Sequence, residues 1–162
     1  MTATPITPSR YEDGRALLLA GFAERFDMRD ISGLPRLWQR FGPHIGCVPG
    51  QHGLDSYGVC YHPDGQGGFD YLAGVEVTEA GGLPEGFSTL TLAPQRYAVF
   101  EHRGNLQGIK DTFDAIFEQW LPASGERSAN AAVFERYPAG FDPTDPGAVM
   151  EVWIPLERVM GG

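Results

Sequence analysis

The feature that most constrains this chain is that it says nearly the same thing twice. Arg15 to Phe26, with the compact apolar run Leu17 to Leu19, reads as a buried strand. Leu34, Leu37, Trp38, Phe41 and Ile45 then fall on one helical face, with Pro35 in the first turn and Ser32 placed to cap it. Gly42-Pro43 ends or kinks that helix. Tyr57–His62 and Phe69–Val77 follow as two strands of a hairpin, with Pro63-Asp64-Gly65 and Gly67-Gly68 turning the chain between them.

The second pass repeats this order. Gln95–His102 is a strand. Arg103-Gly104-Asn105 turns, with Asn105 as the N-cap. Ile109, Thr112, Phe113, Ile116, Phe117 and Trp120 keep helical spacing until Pro122 and Gly125 stop the helix. The stripe predicts Phe113 and Phe117 in the core, each costing about 3–5 kcal/mol on truncation to Ala. Ala132–Tyr137 and Val149–Leu156 are the last two strands. The organisation is therefore one domain over 1–162, built from two β-α-β-β halves at about 15–77 and about 95–157. Met1–Gly14 reads as a loose lead-in and Thr78–Pro94 as the crossover. Tyr61-His62-Pro63 and Arg136-Tyr137-Pro138 match in position. Setting Phe69-Asp70-Tyr71 against Met150-Glu151-Val152, or Glu76 against Glu151, are both open registers. Each half alone would expose an amphipathic helix, so the halves share a core, and the crevice at their junction is the natural ligand site.

Composition removes several function classes. The 162 residues carry 12 basic and 21 acidic side chains, a net charge of −9, which argues against a phosphate-backbone grip. There is no apolar run of membrane-spanning length and no secretory signal at the N-terminus, so a cytoplasmic protein is expected. The two cysteines, Cys47 and Cys60, make no disulfide framework. His44, Cys47, His52, Cys60 and His62 offer metal-ligating atoms but lack paired Cys-x2-Cys knuckles, so no metal and no cofactor is assigned. No nucleophile elbow or phosphate loop occurs; Gly65-Gln-Gly-Gly68 is a hairpin turn. Glu76, Glu79 and Glu85 read as a solvated face and loop.

The candidate site centres on Glu151. It interrupts the apolar strand Val149-Met150-Glu151-Val152-Trp153-Ile154, where a carboxylate is costly to bury unless paired. Trp153 shares its face by strand periodicity, and indole is the best ring for a cation. The plainer alternative is a glutamate facing water on an edge strand or paired to an arginine. Trp38, Phe41, Phe117 and Trp120 on the two helix faces serve as core, with a subset lining the cleft. Tyr57, Tyr71 and Tyr137 carry a polar handle suited to a cleft wall, and strand register decides which point inward.

Several segments together resemble the GyrI-like small-molecule-binding domain. They are Leu34-Pro-Arg-Leu-Trp38-Gln-Arg-Phe41, Tyr71-Leu-Ala-Gly74-Val-Glu-Val77, Tyr97-Ala-Val-Phe-Glu-His-Arg-Gly104, Trp120-Leu121-Pro122, Phe134-Glu-Arg-Tyr137 and Glu151-Val-Trp-Ile-Pro155. This is the effector-binding module of AraC-type transcription factors and of BmrR-like multidrug sensors. The resemblance implies an α+β fold: duplicated units with pseudo-twofold symmetry, one antiparallel sheet and two helices on one face. It implies an aromatic-lined cleft between the halves with a ligand-pairing glutamate at the position of Glu151. The expected ligand is amphipathic, aromatic or cationic. With no room for a helix-turn-helix, direct DNA binding is not expected. Two alternatives stay open: a hydrolase of small natural products with Glu151 as general base and Tyr137 or His102 as proton donor, or a modulator of a protein partner like the gyrase-inhibitory members.

Overall fold

The computed structural model describes residues 6–104, 109–142 and 145–157. Its elements are β1 (Arg10–Gly14), β2 (Leu17–Asp27), α1 (Leu34–Phe41), β3 (Gln51–Tyr61), β4 (Gly68–Val77), β5 (Ser88–Leu92), β6 (Gln95–Arg103), α2 (Ile109–Asp114), α3 (Leu121–Ser124), β7 (Val133–Tyr137) and β8 (Val149–Leu156). A π-wound segment, Ala115–Trp120, joins α2 to α3, so the second helix is one continuous body. The strands form one sheet in the order β1-β6-β8-β7-β3-β4-β2-β5, and every pairing is antiparallel.

That order carries the duplication. Outward from the central β7–β3 seam, one side runs last strand, first strand (β8, β6) and the other does the same (β4, β2). The seam is a short ladder, from Ser56↔Tyr137 to Cys60↔Val133, with Gly58↔Glu135 as its middle rung. Strand periodicity then assigns the two faces. Ala20, Tyr71, Ala73 and Val75 pack under α1 with Leu37 and Phe41. Ala98, Phe100, Val152, Ile154 and Tyr137 pack under the second helix with Ile116. Trp38 belongs to both layers and bridges the helices. Both helices thus cover one face. The other face holds Leu19, Tyr57, Val59, Leu72, Tyr97, Val99, Phe134 and Trp153 and, among the described residues, has no helix over it.

The sheet curls around this second face, so that residues of β1, β2, β3, β4, β6, β7 and β8 line a single cavity. Gly21 faces Gly74 across β2 and β4, and a Cβ at Gly21 would collide with the Ala73 carbonyl. Strand glycines of this kind let backbones bend and approach closely.

The structure corrects four expectations. The lead-in contains β1, which pairs with β6, and the crossover contains β5, which pairs with β2. Both are edge strands whose short, polar alternation resembles loop composition. Gly33, not Ser32, is the N-cap of α1; the Ser32 hydroxyl is taken by Asp30 at 2.6 Å. The helical stripe of the second half is not uniformly buried. Ile116 is fully covered, but Phe117 is 38% exposed, and Phe113 is only partly buried and stacks on it. The π-wound segment, with its wider turn, rotates the later side chains off the ideal stripe. Glu76 is not a solvated residue: it is 9% exposed and lies on the cavity wall. The expected N-cap, Asn105, lies outside the described residues. Among those described, no helix is long and apolar enough to cross a membrane, and no three His, Cys, Asp or Glu side chains gather as metal ligands would.

Candidate functional site

The helix-free face is an aromatic wall. Phe134 of β7 and Trp153 of β8 occupy directly paired positions and stack, with ring centroids 5.0 Å apart and an interplanar angle of 21°. Tyr97 of β6 meets both edge-on, at 5.2 Å and 5.4 Å, and Tyr57 of β3 meets Phe134 at 5.9 Å. These four rings line a cavity of about 420 Å³, within the range usual for small-molecule sites. Residues from both halves contribute, so the cavity straddles the seam. A second hollow of about 460 Å³ opens beyond Tyr97, between Tyr61, Leu90, Leu92 and Ala132. Among the described residues the Tyr57 and Tyr97 hydroxyls have no hydrogen-bond partner. Burial pushes both phenols up, Tyr97 to about 12, so both remain neutral donors near neutral pH.

Carboxylates rim the wall, and the chain's own arginines meet them. Glu151 receives the Trp153 indole N–H at 3.0 Å and the Arg10 guanidinium at 2.7 Å. The same guanidinium lies 5.5 Å from the Trp153 ring centroid and donates its Nε to Glu12 at 2.7 Å. Burial would raise the Glu151 carboxyl, but the hydrogen bonds from Arg10 and Trp153 outweigh it and hold it below the usual range. Glu76 is gripped by both terminal nitrogens of Arg15, the longer contact at 2.8 Å. Asp55 accepts from Arg136, whose strand position is next to Glu151 across β7 and β8. Asp13 alternates to the other side of β1, across from Arg96. Three carboxylates of the cavity wall (Glu12, Asp55, Glu76) thus stand against two guanidinium groups (Arg15, Arg136), the Glu151–Arg10 pair stands beside them against Trp153, and the rim is net negative by one.

On the opposite face, under the helices, lies a second polar constellation. Glu135 is buried at the middle rung of the seam. It accepts from the Tyr71 hydroxyl at 2.9 Å, and Tyr137 hydrogen-bonds it as well. The Trp38 indole N–H donates to Tyr71 at 3.0 Å. Desolvation pushes the Glu135 carboxyl up to about 7, only partly offset by the two tyrosines. The network needs Gly58 across the seam: a Cβ there would collide with the Tyr71 hydroxyl and sit 2.7 Å from Glu135 Oε1.

The structure therefore divides the residues singled out in sequence. Glu151, Trp153 and Tyr57 come together on the open face. Tyr71, Tyr137 and Trp38 meet on the helix face around Glu135. Phe41, the last residue of α1, is fully buried against the sheet, Trp120 packs edge-on against Phe100 at 4.9 Å, and Phe117 is 38% exposed. Glu151 is on an interior strand, not an edge, and is paired to an arginine. His102, hydrogen-bonded to Thr112 of α2, and Tyr137 are on the helix face, so neither stands beside Glu151 as a proton donor. Sequence reasoning missed Tyr97, Phe134, Glu76, Arg10, Arg15 and Arg136. The period-two spacing of Phe134 with Arg136, and of Tyr97 with Val99, was the available signal for the first two.

Known proteins reproduce this architecture. A family model described as the GyrI-like small molecule binding domain matches residues 8–157. The transcriptional regulator BrlR of Pseudomonas aeruginosa is 36% identical over 124 residues, covering 75% of this chain and 45% of that protein. The probable transcriptional regulator YgiV of Escherichia coli K12 is 36% identical over 72 residues, 44% of this chain and 45% of YgiV. The chain thus spans about half the length of these curated relatives. Among solved structures, SAV2435 bound to tetraphenylphosphonium matches with a TM-score of 0.75 at 21% identity, over 91% of this chain and 93% of that one. The EcmrR C-terminal domain matches with a TM-score of 0.70 at 16% identity, over 93% of this chain and 97% of that one.

Proposed function

The chain belongs to the GyrI-like small-molecule-binding family, and on that premise we propose that its open face receives an aromatic, positively charged small molecule. The observation that carries this reading is the joining of four aromatic rings to a net-negative rim around one cavity. Ring burial supplies the affinity, and the rim sets the sign of charge. The tetraphenylphosphonium bound to SAV2435 has this chemistry and is a suitable probe. Glu151, with Trp153 on the same face, is the charge-reading pair. Its depressed carboxyl is ionised at neutral pH, as a receptor for cations needs, whereas a general base needs a carboxyl raised toward neutrality.

Calorimetry tests this. Wild type is titrated with tetraphenylphosphonium and with neutral triphenylphosphine oxide, then Glu151→Gln is titrated with both. The variant should lose about 1–3 kcal/mol for the cation, the scale of a charge-assisted contact, and spare the neutral compound. Equal weakening of both would show that Glu151 shapes the cavity without reading charge. No binding of either by wild type would overturn the reading.

A further inference from the structure

We propose that Arg10 is a tethered competitor for the cation position of the open face, and that the ligand it competes with carries a planar, delocalised cation of the aryl guanidinium or amidinium class. This rests on the reading of the open face as a cation receptor and adds the ligand's shape and the residue that opposes it.

The structure holds a cation in this position: the chain's own. The Arg10 guanidinium sits 5.5 Å from the Trp153 ring centroid, with Nη1 2.7 Å from Glu151 Oε2. The other Glu151 oxygen is fixed by the Trp153 indole N–H. Ring and carboxylate are thereby locked together, and what they present is one aromatic surface beside one carboxylate oxygen. A planar group with in-plane N–H donors meets both at once, whereas a tetrahedral ammonium offers no flat face to the ring.

Arg10 is also built to leave. It stands on β1, which among the described residues pairs with β6 alone, so its withdrawal breaks no ladder between the halves. Its Nε is bonded to Glu12 on the same strand, and that carboxylate keeps the guanidinium paired when Glu151 is given up. Arg15, just past the end of β1, covers Glu76 in the same way. A cationic ligand therefore binds with the affinity of the site less the cost of moving an arginine, so affinity is set partly by a residue that competes for the position.

The test uses the full chain and three probes of similar size: phenylguanidinium, benzylammonium and neutral phenylurea, titrated by calorimetry into wild type, Arg10→Ala and Arg10→Ala/Glu151→Gln. Arg10→Ala should bind phenylguanidinium about tenfold more tightly than wild type. Benzylammonium should gain less, phenylurea should not change, and the gain should vanish in the double variant. Thermal unfolding checks that each variant is folded, and Arg10→Gln, which keeps the aliphatic stem, replaces the alanine variant if that one is not. Unchanged or weaker phenylguanidinium binding in a folded Arg10 variant overturns the competitor. An equal gain for benzylammonium overturns the planar class. If wild type binds tetraphenylphosphonium while the Arg10 variants show no gain, this inference fails and the cation receptor stands. If none of the proteins binds any cation, the receptor reading itself fails.

Discussion

Glu135 and Glu151 sit on neighbouring strands of one sheet, yet their carboxyl groups are driven in opposite directions. Glu135 faces the helices, where its partners are neutral hydroxyls and burial dominates; it rises to about 7. Glu151 faces the open side and is only half-buried, and there an arginine and an indole N–H overcome its smaller desolvation and hold it down. The difference is not depth alone. A hydroxyl satisfies a carboxylate's lone pairs but does not neutralise it, whereas a guanidinium does both. One face therefore stores a proton and the other displays a charge, and the sheet between them is a single layer of backbone thick.

Three measurements would break or sharpen that contrast. The largest effect belongs to the closed face. Phe100 is fully buried beneath Trp120, so Phe100→Ala should cost about 3–5 kcal/mol in chemical denaturation. Its affinity for tetraphenylphosphonium should stay at the wild-type level, since the side chain is on the wrong side of the sheet. A binding loss as large as the stability loss would mean that the two faces are not separate.

Next comes the pH profile. The raised carboxyl of Glu135 makes the folded protein hold a proton that the unfolded chain releases. Its contribution is complete below about 4.5 and is lost as pH climbs through about 7, roughly 3 kcal/mol in total. The neighbouring groups on that face, Tyr71, Tyr137 and Cys60, are all pushed up by burial and stay neutral across the window. Glu151 works the other way: its contribution is present above the usual carboxylate range and is lost as pH falls through its depressed value. Unfolding free energies from pH 4 to 8 should therefore slope downward in wild type and flatten in Glu135→Gln. The slope below pH 4.5 should flatten in Glu151→Gln. A wild-type slope across pH 5–7 that survives in Glu135→Gln would locate the proton elsewhere.

The smallest effect is at Phe117. With a ring 38% exposed, Phe117→Ala should shift stability by less than about 1 kcal/mol. A loss of the size expected at Phe100 would show that this part of the second helix is covered in solution.

The central strands and both helices were legible in sequence because burial on a defined face leaves a period, and turns rich in Pro and Gly mark where each period stops. The edge strands were not. Arg10–Gly14 and Ser88–Leu92 bury little, so their alternation is faint against their polarity. For the site, Glu151 stood out because it breaks an apolar strand, and Trp153 followed by parity. Tyr71 and Tyr137 could not be told from Tyr57 without the register that sends them to the helix side. Arg10 and Arg15 were invisible for a different reason. Nothing local distinguishes an arginine that will cover a glutamate 141 residues away, as Arg10 covers Glu151, from one that faces water. Glu76 failed as a solvated residue because its burial depends on that same long-range closure.

The middle rung of the seam sets a limit on how alike the two halves can be. A twofold axis passing there would make positions 58 and 135 equivalent, and these hold a glycine and a glutamate. Two glutamates facing each other in that buried space would repel and could not both ionise; two glycines would leave the hydroxyls of Tyr71 and Tyr137 without their acceptor. The buried polar network can therefore exist once per domain and not once per half: the glycine side of the rung supplies the room and the glutamate side the acceptor.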